Sequence, residues 1–222
     1  MNHTADSIQA GRRLAIFDFD GTMIKGDSIL PHLLFALRRG AENPLRIPSL
    51  LLNTWRGLSG RISAEEGKSR ALRFLASMDP GRREAFNLDF CRQVLLPRIY
   101  PKALERMEHH RRQGDGVLLV SASPDIYMRH MQELLPVDAV LASLTSPDGR
   151  VTRNCKGEEK VRRVQEWAAK QGTEFDWANS WAYGDSAHDL PVMRLTGNPV
   201  LVNPKPAAQQ DGAGLPVEQW AP

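Results

Sequence analysis

Asp18 and Asp20 flank a single phenylalanine, and Gly21-Thr22 follows them. The apolar run Leu14-Ala15-Ile16-Phe17 stands just before. The acids therefore lie at the carboxyl end of an expected buried strand. Side chains alternate faces along a strand, so Asp18 and Asp20 project on the same side before the chain turns at Gly21. Two such carboxylates repel each other unless positive charge joins them. A hard divalent cation with oxygen ligands, such as Mg2+, meets that need. The motif predicts a metal-dependent site for an anionic substrate.

Three further patches carry chemistry-bearing side chains. Ser121-Ala122-Ser123-Pro124 follows the apolar run 116–120. Asn154-Cys155-Lys156-Gly157-Glu158-Glu159-Lys160 opens a helical pattern. Gly184-Asp185-Ser186-Ala187-His188-Asp189 follows Trp181-Ala182-Tyr183. Together they supply carboxylates, a hydroxyl, an ammonium and glycine-rich backbone. Phosphoryl transfer requires such a set: a nucleophile, a metal, donors for the phosphoryl oxygens and an acid for the leaving group.

The elements that must position these patches alternate along the chain. Strand-like runs fall at 14–18, 116–120, 137–141, 179–183 and 199–202, with helical patterns between most of them. That alternation predicts an α/β fold with a doubly wound, mostly parallel sheet, in which ligands bind beyond the strands' carboxyl ends. The stretch from 24 to about 105 reads as helices only. Asp27 or Ser28 caps a first helix ending near Gly40, and 44–55 is a weaker second one. Ser63 and Glu66 form a capping box for 64–77, Asp79-Pro80 starts another helix, and a further one runs over 102–113. We read 24–92 as an all-helical insertion after the first strand, with 1–23 and 93–222 forming the α/β core. The tail from Pro204 to Pro222 reads as loop with one late contact through Trp220.

Composition narrows the functional classes. The 222 residues are 41% hydrophobic and 25% charged, enough for a substantial core. No apolar run approaches the ~20 residues of a membrane span. The polar stretch 1–13 does not resemble a secretory signal. Cys91 and Cys155 stand far apart, which fits a reducing cytoplasm better than a disulfide framework. The net charge of +3 does not call for a nucleic-acid partner. Residues 25–112 carry +8 and the remainder −5. A positive insertion over an acidic site would attract phosphorylated metabolites, although arginines also simply solvate helix faces.

The order hhhhDxDGT, hhhhSAS, a lysine at a helix start and hhhGDSxxD resembles the haloacid dehalogenase (HAD) superfamily, and within it the phosphoserine-phosphatase-like branch. The resemblance runs from about Leu14 to Asn203. It implies a Rossmann-like core with a helical cap domain and a Mg2+-dependent phosphatase for a small phosphomonoester. By position, Asp18 would be the nucleophile that forms an aspartyl-phosphate and also a metal ligand. Asp20 would be the acid and then the base, its backbone carbonyl reaching the metal. Ser121, Ala122 and Gly21 would bind the phosphoryl group. Asp185 would be the fourth motif's side-chain metal ligand, and Asp189 would complete the metal site through the metal's waters or orient Lys160.

Lys160 or Lys156 would be the phosphate-site lysine. A helix from Lys160 gathers Val161, Val164, Trp167 and Ala168 on one apolar face, and the branch's Cys-x-Gly-x-x-Lys pattern matches Cys155, Gly157 and Lys160, so both favour Lys160. Asp27 stands where phosphoserine phosphatases carry a substrate-facing glutamate, which allows an amino-bearing substrate such as histidinol phosphate or phosphoserine. Gly21 departs from the serine usual there. The rival readings are a phosphotransferase or mutase on the same aspartyl-phosphate and a non-enzymatic receiver-like domain. A calcium loop fails, because its glycine and glutamate positions hold Met23 and Ile29. The oligomeric state stays open. Ser123 reads as a helix cap before Pro124, and His109 and His110 as a solvated face. His188 reads as solvent-facing, Cys155 as structural and the tryptophans as packing residues.

Overall fold

The computed structural model describes residues 11–41, 45 and 62–221. Among them a single sheet holds β1 (Leu14–Phe17), β2 (Gly116–Pro124), β3 (Ala139–Thr145), β4 (Val151–Arg153), β5 (Trp181–Gly184), β6 (Asn198–Val202) and β7 (Val217–Glu218). The spatial order is β4-β3-β2-β1-β5-β6-β7. Every neighbouring pair is parallel except β3 and β4. This is the Rossmann-like, doubly wound order with one antiparallel edge strand. The chain moves outward from β1 to β2 and β3, then returns to β5 on β1's other side. Such a reversal opens a crevice beyond the carboxyl end of β1.

The residues of β1 explain its central place. All four are buried. Ala15 and Phe17 enter one core cluster, while Leu14 and Ile16 enter the other. The period-two alternation thus feeds both faces of the sheet, and a continuous apolar run is what a doubly covered strand needs.

The helices are α1 (Ile29–Arg38), α2 (Ala64–Leu72), α3 (Pro80–Phe90), α4 (Pro101–Arg112), α5 (Asp125–Met128), α6 (Met131–Leu134), α7 (Glu158–Ala169), α8 (Leu190–Met193) and α9 (Pro206–Asp211). The first four stand between β1 and β2, as the sequence pattern predicts. Ser63 and Asp79 accept the N–H groups of Glu66 and Arg82 at the starts of α2 and α3. Asp27 does the same for Ile29 before α1. The helix expected over 44–55 falls, Leu45 aside, outside the described residues, as does Trp55.

Several expectations need correction. The third strand begins at Ala139 rather than 137 and runs on to Thr145. It turns through Asp148-Gly149, with Gly149 at φ +83°, into the unforeseen β4. The tail is not simply loop: it forms the helix α9, β7 pairs with β6 at the edge of the sheet, and Trp220 is buried. His110 does not face solvent. It is buried, with Nδ1 2.8 Å from Asp115 Oδ2 and Nε2 2.8 Å from the Tyr183 hydroxyl. Only His109 of that pair is exposed.

Candidate active site

The crevice beyond β1 gathers residues from four distant stretches. Asp18 leaves the strand with its N–H donating to the Tyr183 carbonyl of β5. Lys160, in the first turn of α7, sends its ammonium to Asp18 Oδ1 at 2.6 Å, Asp189 Oδ1 at 2.6 Å and the Val120 carbonyl at 3.0 Å. An ammonium has three protons, and all three are used. Thr22 donates to the other Asp18 oxygen at 2.9 Å. The second oxygen of Asp189 accepts from the Ser186 N–H at 3.0 Å and its hydroxyl at 2.6 Å. Lys156 is exposed on the preceding loop. With His188 it borders an open groove of about 550 Å3 beside α2.

Two glycines permit this closeness. Gly21 takes φ +89°, and a Cβ there would stand 2.1 Å from Asp185 Oδ2. Its N–H is taken by the Ile24 carbonyl. A Cβ on Gly184 would lie 2.5 Å from that of Asp189. Neither position accepts a side chain without moving a carboxylate.

Asp20 faces differently from Asp18. Its Oδ2 accepts from the Ser123 hydroxyl, and Ser28 Oγ lies 3.2 Å from the same oxygen. Its Oδ1 is buried without a hydrogen-bond partner. Ser123 is therefore not a helix cap: α5 begins at Asp125 without a side-chain cap. Ser121 is buried, and its Oγ accepts the Ser123 N–H at 3.0 Å. That bond leaves the Ser121 proton to donate elsewhere. The Ala122 carbonyl accepts from Lys68 at 2.5 Å and from Ser143 at 2.6 Å.

The electrostatics follow from burial and charge. Burial, then the Asp189 carboxylate, push the Asp18 carboxyl up to about 7, while Lys160 pulls it down. Burial, then Asp27, push Asp20 up to about 8. Burial would raise Asp189 too, but Lys160 and Ser186 outweigh it and hold that carboxyl below its ordinary value. Lys160 sits above its ordinary value: burial opposes its charge, and Asp18 and Asp189 prevail.

One oxygen from each of Asp18, Asp185 and Asp189 lies within 4.8 Å of the others. Three carboxylates, when ionised, outnumber the two ammonium groups that reach them, Lys160 from inside and Lys205 from the rim. The donors are all hard oxygens, and such a set fits Mg2+. The Asp20 carboxylate is not in this group, and Asp27, partly committed to α1, stands at the insertion's start.

Sequence reasoning passed over several neighbours. Lys205 places its ammonium 2.6 Å from Asp185 Oδ2, although its own side chain is 61% exposed. Lys68, on α2, reaches Asn154 Oδ1 at 2.9 Å as well as Ala122. Asn154 in turn donates to Glu65, and Ser69 accepts the Val151 N–H. Tyr127 contacts Ser28, and Ser28 contacts Ser123 beside Asp20. The basic run of the insertion signalled lysines near the site, but not which one arrives.

Comparison with known proteins agrees with this geometry. The chain is 26% identical over 217 residues to a protein named histidinol-phosphatase from Neisseria meningitidis serogroup C (strain 8013), covering 93% of this chain and 98% of that one. It is 28% identical over 205 residues to a phosphoserine phosphatase of Streptomyces coelicolor, covering 90% of this chain and 46% of that protein. A crystal structure of a Bordetella pertussis Tohama I protein with unknown function superposes with a TM-score of 0.81 at 28% identity, over 94% of this chain and 98% of that one. Among the described residues, no helix is long and apolar enough to cross a membrane. The model of the haloacid dehalogenase-like hydrolases matches residues 15–194, and the chain belongs to that family.

Proposed function

We propose that this hydrolase is a Mg2+-dependent phosphatase that cleaves a small phosphomonoester through a phosphorylated Asp18. The observation that carries the reading is Lys160, held at 2.6 Å from both Asp18 and Asp189 beside the third carboxylate, Asp185. A bare carboxylate is a weak nucleophile. A fixed ammonium favours the ionised form of Asp18 against burial and offsets charge on the phosphoryl oxygens.

Asp18 would bind phosphorus as the ester P–O bond breaks. The leaving oxygen takes that electron pair and a proton from Asp20. Asp20, now a carboxylate, would take a proton from water as the water oxygen attacks phosphorus, releasing phosphate and restoring Asp18. Ser121 and backbone N–H groups beside Ala122 and Gly21 would orient the phosphoryl oxygens. Asp18, Asp185, Asp189 and the Asp20 carbonyl would hold Mg2+, which supplies a hard positive charge against the substrate's oxygens. Residues 24–92 would act as a cap over a core of 1–23 and 93–222, admitting small molecules from the cytoplasm.

An amino-bearing substrate fits best. Asp27 supplies a carboxylate at the insertion's start, and its charge is felt at Asp20. The names of the two relatives, histidinol-phosphatase and phosphoserine phosphatase, support the same class. Phosphate release from a panel of phosphorylated metabolites with Mg2+ tests the reading. Amino-bearing esters should lead the panel, and EDTA or Asp18→Asn should abolish turnover. Unchanged turnover in either case overturns the mechanism. Asp27→Ala should impair amino-bearing esters selectively; an equal loss on every ester removes that role.

A further inference from the structure

Three hydroxyls from three elements meet beside Asp20. Ser28 comes from the start of the insertion, Ser123 from β2 and Tyr127 from α5. The Tyr127 hydroxyl lies 2.8 Å from Ser28 Oγ, Ser28 Oγ lies 2.7 Å from Ser123 Oγ, and Ser123 Oγ is in short contact with Asp20 Oδ2. Ser28 and Ser123 are buried, and so is the Tyr127 side chain. Each hydroxyl has one proton to give. Following the shortest contacts, Tyr127 donates to Ser28, Ser28 to Ser123 and Ser123 to Asp20. Every hydroxyl but the first then accepts one bond and donates one, so each polarises the next. The chain ends on Oδ2 and leaves Oδ1 as the one buried Asp20 oxygen with no partner.

We propose that Tyr127, Ser28 and Ser123 are positioning residues that fix the Asp20 carboxyl with Oδ2 as acceptor and Oδ1 as the oxygen that hands its proton to the leaving group. The proposal rests on the phosphatase reading above. A carboxyl free to rotate would present either oxygen. Two oxygens in different surroundings are held to one orientation. The first hydroxyl is anchored by its ring, which packs against His32 and Phe90 with centroids 4.9 and 5.3 Å away. Ser28 belongs to the insertion, so the position of that segment bears directly on the acid.

The test separates positioning from packing. A poor alkoxide leaving group needs the acid, whereas 4-nitrophenolate leaves with little help. Wild type, Tyr127→Phe, Ser28→Ala and Ser28→Thr are compared on an alkyl phosphate ester and on 4-nitrophenyl phosphate, with melting temperatures measured alongside. The ratio of kcat on the alkyl ester to kcat on the aryl ester should fall at least about tenfold in Tyr127→Phe and Ser28→Ala, a part of the ~10²–10⁴ that a placed acid contributes. Ser28→Thr, which keeps the hydroxyl, should restore most of that ratio. Equal losses on both esters, or none, overturn the proposal while the phosphatase reading stands. A wild-type protein inactive on both esters overturns the two together. Should Tyr127→Phe melt early, the Ser28 pair decides.

Discussion

Lys160 and His32 are equally buried, each about 1% exposed, and their protons behave in opposite ways. Lys160 stands at the strand tips, 2.6 Å from two carboxylates, and is held charged against burial. His32 stands in the helical insertion, ringed by Phe74, Phe86, Phe90 and Tyr127 at centroid distances of 4.7–5.6 Å. Its nearest polar partner is the neutral Asn87, 2.8 Å away, and burial lowers its pKa to about 4. Depth alone therefore does not decide whether a basic group keeps its charge in this molecule. The neighbours decide. The α/β core gathers paired ions at one point, whereas the helices between β1 and β2 contribute an apolar wall, with the Ser28 hydroxyl at its start.

The largest expected effect tests the charged side. Lys160→Met leaves Asp18 and Asp189 facing each other without their shared cation. Turnover should fall by about 10²–10³, the scale of losing one preorganised electrostatic contact. Breaking a buried ion pair from one side should also destabilise the protein by about 3–5 kcal/mol. Steady-state kinetics and urea unfolding in EDTA read the two effects. A variant as stable as wild type would erase the contrast with His32.

A smaller effect tests the apolar side. Above pH 6.5 His32 is neutral whether the chain is folded or not, so its contribution is complete. As pH falls from 6.5 towards 4, the unfolded chain binds a proton that the folded chain refuses, and stability is lost. The drop of 2.5 pH units between the ordinary value of 6.5 and about 4 corresponds to ~3 kcal/mol. Urea unfolding across that range should show it as a difference between wild type and His32→Gln, whose slope should be flatter. Parallel curves would place the titration elsewhere.

The smallest effect lies where the two regions join. Gly21→Ser puts a Cβ at φ +89° and against Asp185. Backbone strain of this kind costs about 1–3 kcal/mol, and displacement of Asp185 should weaken Mg2+ binding measured by calorimetry. Wild-type affinity in this variant would show that Asp185 yields freely.

The sheet was legible because a doubly covered parallel strand advertises itself as a continuous apolar run. Asp18, Asp185 and Asp189 could be gathered from the sequence because strand ends in such a sheet converge on one side. The helix pattern of Val161, Val164 and Trp167 also put Lys160 in the first turn. The misses have physical causes. β4 is three residues long, and its one signal was the Asp148-Gly149 turn, a hairpin cue that went unused. β7 has only two residues. Ser123 before Pro124 looked like a cap, because local chemistry favours that reading. Its bond to Asp20 spans 103 positions and exists only once the sheet has formed. His110 sits in a strongly charged helix, where a histidine reads as surface. Only the fold supplies Asp115 and Tyr183 as its partners.

Lys68 bridges α2 to the Ala122 carbonyl and the Asn154 amide oxygen, both of them neutral. Drawing α2 away returns those oxygens to water and strands no bonded anion inside. A fastening built this way comes undone at lower cost than an ion pair would. That would suit the cap proposed for residues 24–92, which would have to admit ester and water and release alcohol and phosphate.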